Sequence, residues 1–316
     1  MTTMTTAAPT VGVAPRGRAG FLGAMRSEFT KIRSVRSTYW TLLALIVASV
    51  GISAAMSWGR SGQPDRILHG GGGGPGGPGA VVSGPGGHAL KIAAAQAAAN
   101  VHANAASISL FGLLIGQLII VVLGALVITS EYSTGMIRTS LSTMPRRGTV
   151  FAAKGVVFGL VALVVGLVTT FLSFFVGQSI LGTGNAILPG HTLSTTLSAP
   201  GVLQAVVGGG LFLAVTGLLS FGLGAMLRHT AGAISAGIGL MFVLMILTNF
   251  LPGPPSGWFG QADIDKWIPF FAGSHIWQNQ LVGVNPFSPW VGFAVFCIYA
   301  AVAIAGGLTM FLRRDA

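Results

Sequence analysis

Charged residues are scarce in this sequence. Asp, Glu, Lys and Arg make up 7% of the 316 residues, whereas an ordinary soluble protein has about 25%. Because 52% of the residues are hydrophobic and the mean hydropathy is +0.78, the composition excludes an ordinary soluble fold and predicts a multi-span membrane protein. The formal net charge is +11, but the cations lie just outside apolar runs, where topology signals and headgroup contacts occur. We therefore expect a lipid bilayer as partner and no nucleic acid.

Acidic residues are especially few, and none lies in the apolar core of a predicted span. An ionisable group at membrane depth costs about 3 kcal/mol or more, so it persists only where it has a function. Carriers driven by protons or sodium usually keep one there. Its absence here indicates that the chain has no energy source of its own. The six acids are Glu28, Asp65, Glu131, Asp263, Asp265 and Asp315.

Further absences argue against an enzyme. Cys297 is the only cysteine, so no intrachain disulfide forms, and a lone cysteine is not a metal site. No Gly-Lys pair occurs, which excludes a P-loop for nucleotide phosphates. No HExxH motif, catalytic triad or carboxylate pair occurs at workable spacing. We therefore predict no catalytic residue, no cofactor and no metal bound by this chain.

Six apolar runs predict an all-α membrane protein with six transmembrane helices, because each run has about the 20 residues needed to cross a bilayer. An even number of spans places both termini on one side. That side has 13 Lys and Arg residues and the other has 4, so the positive-inside rule makes both termini cytoplasmic. The predicted spans are, approximately, residues 39–57, 108–129, 150–176, 202–227, 231–251 and 290–312.

The segments outside the spans differ in character. Residues 1–20 are rich in Thr, Ala, Pro and Gly and are predicted to be a disordered cytoplasmic tail. Residues 21–316 are predicted to be the transmembrane domain. Within it, residues 58–106 form a Gly/Pro-rich extracellular loop, because so much Gly and Pro does not form a packed element.

The segment before the first span is amphipathic. At about 100° per residue, Phe21, Met25, Phe29 and Ile32 share one apolar face, although Glu28 interrupts it. A basic amphipathic helix beside a span lies in the headgroup plane, so we predict an N-terminal interfacial helix. The alternative is a plain cytoplasmic extension of the first span.

The last outer loop is long and aromatic, as is typical of a membrane–water boundary. Within it, residues 268–283, IPFFAGSHIWQNQLVG, are too few to cross a bilayer. Two interpretations are open: a re-entrant helix that dips into the outer leaflet, or an extracellular cap.

The polar stretch EYSTGMIRTSLSTMPRRGTVFAAK, Glu131–Lys154, lies between the second and third spans. We interpret it as a cytoplasmic loop with a short helix, ended by Pro145, that docks a soluble partner. The alternative is a basic loop that serves topology alone. The candidate docking residues are Glu131, Tyr132, Met136, Arg138, Arg146 and Arg147, the last two of which could face either the partner or the lipid surface.

Four segments together resemble the ABC-2 type transporter permeases, especially the actinobacterial kind. They are SEFTKIRSVRSTYW, the Glu131–Lys154 stretch, MLRHTAGAISAG and IPFFAGSHIW. The resemblance implies an ABC-2 (type V exporter-like) permease fold with a connecting helix at about residues 21–36 and a coupling helix within residues 131–147 that contacts an ATPase. It further implies a re-entrant segment before the last span, and half-transporters that pair and bind two nucleotide-binding subunits.

The missing acids, the missing P-loop and the resemblance together predict the permease subunit of an ABC exporter in a bacterial plasma membrane. ATP and Mg²⁺ would bind a separate ATPase subunit, and the second permease copy would be identical or different. Two alternatives are a stand-alone carrier or channel and a non-transporting scaffold or sensor subunit. The cargo is open, with small hydrophobic compounds, as in multidrug efflux, slightly favoured.

Overall fold

The computed structural model describes residues 20–61, 104–135, 147–183, 194–250, 266–278 and 288–314. Every regular element in these residues is helical, which confirms the predicted all-α class. Six helical segments are long and apolar enough to cross a membrane, as predicted. In chain order the helices are α1 (Phe21–Ser34), α2 (Arg36–Ser61), α3 (Leu113–Thr134), α4 (Arg147–Gly182), α5 (Val202–Leu227), α6 (Thr230–Ile238), α7 (Leu244–Phe250), α8 (Pro269–Ser274) and α9 (Pro289–Arg314).

The fifth candidate span consists of two helices joined by a helical turn of a different type. A π-helical turn, Gly239–Val243, connects α6 to α7. The other five spans are α2, α3, α4, α5 and α9. Most of these helices extend beyond the predicted apolar runs, because the backbone hydrogen-bond ladder continues until a cap or turn interrupts it.

Several predicted boundaries differ from the structure, and residues 104–106 of the predicted loop 58–106 are helical. Trp58–Ser61 belong to α2 and not to the predicted loop 58–106. α3 begins later than predicted because the chain turns at residues 110–112, where the backbone N–H of Gly112 donates to Ser53 Oγ of α2 (3.0 Å). Residues 62–103 of the predicted loop and residues 1–19 of the predicted tail lie outside the described residues.

α5 is the central helix of the bundle. It packs against α3, α4 and α9 and is the most buried of the six spans. Its glycines allow this close approach: a Cβ on Gly222 would lie 2.5 Å from the backbone of Ala303 in α9. Gly210 likewise meets Gly166 of α4. Small residues at such crossings let helices pack closely where lipid removes the hydrophobic drive.

Left-handed residues end two of the helices. Gly135, with φ of 69°, follows α3, a conformation that glycine adopts without steric cost. Arg228, with φ of 55°, ends α5, and its backbone N–H donates to the carbonyl of Gly224 (2.9 Å). A non-glycine residue is seldom found in this region, so its surroundings must hold it there. The side chain of His229 then caps α6 by accepting from the N–H of Gly232.

One end of the bundle brings together α1, the C-terminal ends of α3, α5 and α9, and the N-terminal end of α4. α1 packs on α4, and Arg228 after α5 donates from Nη2 to the carbonyl of Met310 in α9 (2.9 Å). We call this the α1 end. Both α1 and the C-terminus of α9 lie there, which fits termini on the same side; the cytoplasmic orientation of this end remains a prediction.

A short helical segment covers part of the opposite end. Residues 266–278 include α8 and pack on α9 and α5, with Phe270 and Trp277 fully buried. A Cβ on Gly208 of α5 would lie 2.6 Å from Ile276, so α5 is in direct contact with the segment. Residues 268–278 are the described part of the stretch 268–283, for which a re-entrant helix and an extracellular cap both stay predictions.

Candidate functional site

Four ionisable side chains from three helices meet at the α1 end. Glu28 and Lys31 project from α1, Glu131 from the last turn of α3, and Lys154 from about two turns into α4. Lys154 Nζ lies 2.5 Å from Oε2 of Glu28 and 2.7 Å from Oε1 of Glu131. Lys31 Nζ lies 2.7 Å from Oε1 of Glu28 and 3.3 Å from Oε1 of Glu131. We call these four residues the ion cluster.

Helical spacing explains how α1 presents two of the four groups. Residues three or four apart share a helix face, so Ala24, Glu28 and Lys31 follow one side of α1. Ala24 and Glu28 are the buried residues of this helix, and α1 packs on α4. The small Ala24 lets the two helices approach closely, and Glu28 then reaches Lys154.

The cluster is electrically balanced and mostly buried. Two carboxylates face two ammonium groups. Buried charges need such partners, because an unpaired charge away from water has a high free-energy cost. The Lys154 side chain is 8% exposed and the Lys31 side chain is 31% exposed, so Lys154 is the inner cation and Lys31 the outer one. Glu28 and Glu131 are the only carboxylates in the described part of the chain, and the cluster uses both.

The pKa values of the two α1 groups favour their charged forms. Burial alone would raise the pKa of Glu28, but Lys154 and Lys31 hold it below its ordinary value of 4.5. Burial alone would lower the pKa of Lys31, but its hydrogen bond to Glu28 and the attraction of Glu131 raise it above 10.5. Both groups are therefore ionised around neutral pH.

A second contact at the α1 end ties three spans together. The guanidinium carbon of Arg228 lies 5.1 Å from the ring centroid of Tyr132 in α3, within the range of a cation–π interaction. The same guanidinium binds the carbonyl of Met310 in α9. Arg228 thus links α5 to α3 and α9, and its α3 contact, Tyr132, directly follows Glu131 of the ion cluster.

The structure describes half of the six predicted docking residues. Glu131 contacts Lys154 and Lys31, and Tyr132 lies beside Arg228. Arg147 is the first residue of α4, and its Nη1 is buried with no hydrogen-bond partner among the described residues. The other three, Met136, Arg138 and Arg146, lie outside the described residues. Contact of these residues with an ATPase remains a prediction.

The four apolar residues predicted for the interfacial helix all lie on α1. Phe21 and Phe29 are exposed, whereas Met25 and Ile32 are half-buried. The helix therefore has an apolar side away from the bundle as well as the side that binds α4. A location in the headgroup plane remains a prediction.

Glu28, Lys31 and Lys154 are the residues of the ion cluster that the sequence does not single out. In the sequence, Glu28 interrupts the apolar face of α1, and Lys31 and Lys154 are two of several cations next to spans. The signal was the i, i+3 spacing of Glu28 and Lys31 on a helix, together with Glu131 and Lys154 on either side of one connection. Their meeting depends on how α1 packs, which no pattern in the sequence states.

The other reactive residues in the described part of the chain form no candidate metal site. No group of three or more His, Cys, Asp or Glu able to hold a metal ion occurs there. His275 is buried, which lowers its pKa. That this chain binds no metal and no cofactor remains a prediction.

Comparison with protein families gives one match that spans nearly the whole chain. A family model described as "ABC-2 family transporter protein" matches residues 24–316. This range includes all four residues of the ion cluster and all six candidate spans. A comparison with curated proteins found no match.

Proposed function

The chain belongs to the ABC-2 family of transporter proteins, and from this premise we propose that it is the permease subunit of an ABC exporter. A separate ATPase subunit binds ATP and Mg²⁺ and hydrolyses the ATP. Two permease copies, identical or different, form the translocation path. We place the subunit in a bacterial plasma membrane, with the α1 end in the cytoplasm, where an ATPase can reach it.

The ion cluster is the observation that supports coupling to an ATPase. Residues 135–146 connect α3 to α4, with Glu131 just before this connection and Lys154 just after it. On α1, Glu28 binds Lys154, Lys31 binds Glu131, and the two α1 residues bind each other. A displacement of residues 135–146 would therefore be transmitted to α1, α3 and α4 together.

The proposed mechanism is a population shift between two arrangements of the bundle. ATP binding to the partner pulls residues 135–146 towards one arrangement, and hydrolysis releases them. The ion cluster makes α1, the C-terminal end of α3 and the N-terminal end of α4 move together. The Arg228 contact extends this body to α5 and α9. Because α5 is central, its displacement alters the packing of most of the spans.

Within this mechanism the six docking residues divide into two roles. We assign Glu131 and Tyr132 as positioning residues, since their side chains contact Lys154 and Arg228 inside the protein. Met136, Arg138, Arg146 and Arg147 are the residues we assign to the ATPase surface. Arg147 is assigned to this surface because it is the first residue of α4, directly after residues 135–146.

α1 is assigned to the headgroup plane. Phe21 and Phe29 are exposed on a helix that also has Arg26 and Arg33 on its surface. Exposed aromatic groups and cations on one short helix are typical of interfacial helices. The ion cluster then holds this membrane-bound helix against the bundle.

The proposed function is tested by co-expressing the chain with an ATPase encoded beside it that has a Gly-x4-Gly-Lys-Ser/Thr motif. The complex is purified and reconstituted in liposomes, and ATP hydrolysis and transport of ethidium, a small hydrophobic cation, are measured. We expect a stable complex in which the permease raises ATP hydrolysis and ethidium moves only when ATP is present. Replacing Met136 and Arg138 by Ala should weaken the complex, whereas replacing Thr196 and Ser198, exposed at the opposite end, should not.

Two results would contradict the proposal. Transport of ethidium by the chain alone on an ion gradient would favour a stand-alone carrier. A complex that hydrolyses ATP at a rate independent of the permease, with no transport, would favour a scaffold subunit.

A further inference from the structure

An apolar groove lies between α1 and α4, next to the ion cluster. It has a volume of about 440 Å³, within the range of roughly 300–1,000 Å³ for small-ligand sites. Met25 and Phe29 of α1 form one wall, and Val157, Leu160 and Val164 of α4 form the other. Arg26 is the only charged residue among the lining residues.

The α4 wall runs away from the ion cluster into the span. Val157 lies one turn beyond Lys154, and the wall ends at Val165. The eight steps of helix from Val157 to Val165 cover about 12 Å, which is close to the thickness of one leaflet of a hydrocarbon core of about 30 Å. Val157 is buried, whereas Leu160 is 52% and Val164 is 60% exposed, so the wall opens to the surroundings of the bundle from Leu160 onward.

Arg26 is an exposed cation in the lining of the groove. The only two carboxylates in the described part of the chain, Glu28 and Glu131, are both bound to Lys154 and Lys31. The guanidinium of Arg26 therefore faces no carboxylate of the described residues, and an anionic group would complement it. An apolar groove of nearly leaflet length with an exposed cation in its lining has the chemistry of a lipid with an anionic headgroup.

We propose that the groove binds one acyl chain of an anionic phospholipid, whose phosphate pairs with Arg26. The chain lies along Val157, Leu160 and Val164, and the lipid fills the space between α1 and α4 beside the ion cluster. Bound lipid thus favours the docked position of α1. This inference requires that the protein lies in a membrane, and it does not depend on ATP-driven transport.

The test compares phosphatidylglycerol with phosphatidylcholine on the full-length chain. Native mass spectrometry counts the lipids retained by the purified protein. Separately, in a Cys297→Ser background, Ala24→Cys on the buried side of α1 reports docking through its rate of maleimide labelling in nanodiscs. We expect one phosphatidylglycerol retained in preference to phosphatidylcholine, and labelling about fivefold slower in phosphatidylglycerol, the effect of one Arg at an anionic surface.

Two variants and one matched control separate a site from general surface charge. Arg26→Gln should abolish the lipid preference by removing the phosphate partner, and Leu160→Trp should abolish it by filling the groove. Leu160 is exposed, so this substitution leaves the packed core intact. Arg33→Gln is the control, because Arg33 is an exposed cation seven residues along the same face of α1 and does not line the groove.

Three outcomes would overturn the proposal. An equal loss of preference in Arg26→Gln and Arg33→Gln would indicate diffuse attraction to the surface. A preference that appears only after deletion of residues 1–19 would indicate that this segment fills the groove. A change in dimer content with Leu160→Trp, without a change in retained lipid, would assign the groove to a second copy of the chain.

Discussion

Replacing Lys154 by Met tests whether the ion cluster holds α1 on the bundle. Lys154 bonds both carboxylates, at 2.5 and 2.7 Å, and its side chain is 8% exposed. Its loss leaves two buried carboxylates with Lys31 as the only cation, a net charge of −1. Breaking a buried ion pair by removing one partner costs about 3–5 kcal/mol, so we expect the docked position of α1 to be weakened by that amount.

The assay is the labelling rate of Ala24→Cys with Cys297→Ser. Ala24 is 3% exposed on the docked side of α1, so maleimide reaches it only when α1 separates from α4. Because about 1.4 kcal/mol corresponds to a tenfold change in population, Lys154→Met should raise the rate by about 100-fold or more. Ser34 is exposed at the end of the same helix, so the labelling rate of Ser34→Cys is the upper limit for Ala24→Cys. Lys154→Met should leave the Ser34→Cys rate unchanged.

Two further variants check the electrostatic reasoning. Lys31 is the more exposed cation, and its removal leaves Lys154 bound to both carboxylates, so Lys31→Met should raise the rate only about fivefold, as for a surface pair. Adding Glu28→Gln to Lys154→Met restores neutrality through Lys31 and Glu131, and should reverse part of the increase. Equal effects of Lys31→Met and Lys154→Met, or no recovery in the double variant, would refute the reasoning.

Three other predictions concern the same end and the bundle core. The labelling rate of Ala24→Cys, corrected with Ser34→Cys, should be constant between about pH 4.5 and 10.5 and rise outside this window. The pKa of Glu28 is lowered when α1 is docked, so its contribution to docking is lost as the pH falls through that pKa. The pKa of Lys31 is raised, so its contribution is lost as the pH rises through that pKa. Arg228→Ala should lower the thermal unfolding temperature in detergent, because it removes a hydrogen bond worth about 1.5–3 kcal/mol and a cation–π contact; an unchanged temperature would mean that Arg228 holds no spans together. Gly222→Ala should destabilise by about 1–3 kcal/mol in the same assay, since its Cβ meets the backbone of α9, whereas the matched control Gly51→Ala, with nothing within 4 Å of its Cβ, should be neutral or slightly stabilising.

The spans could be predicted from the sequence, and the ion cluster could not. Hydropathy is averaged over residues that are close in the sequence, so all six spans could be predicted. The errors lie at the helix ends, where a helix continues past the apolar run or begins at a tertiary contact such as Gly112 with Ser53. The cluster joins residues separated by about a hundred positions, and a single sequence does not state which distant residues meet. Lys154 is the clearest case: its local pattern is that of a basic loop, and its burial follows only from the position of α1.

Charge, rather than apolar contact, suits the attachment of α1 because it fixes one register. An apolar face such as Phe21, Met25, Phe29 and Ile32 tolerates sliding and rotation, since hydrophobic contact is not directional. Glu28 must reach Lys154 within hydrogen-bond distance, and a shift of one residue along α1 would turn its carboxylate by about 100° and break the contact between these two buried charges. Glu28 and Glu131 share Lys154. The docked register of α1 therefore also requires that the C-terminal end of α3 and the N-terminal end of α4 are in place. Such a three-way dependence makes the position of α1 a property of the whole α1 end, which is the behaviour that the proposed coupling to an ATPase on that side requires.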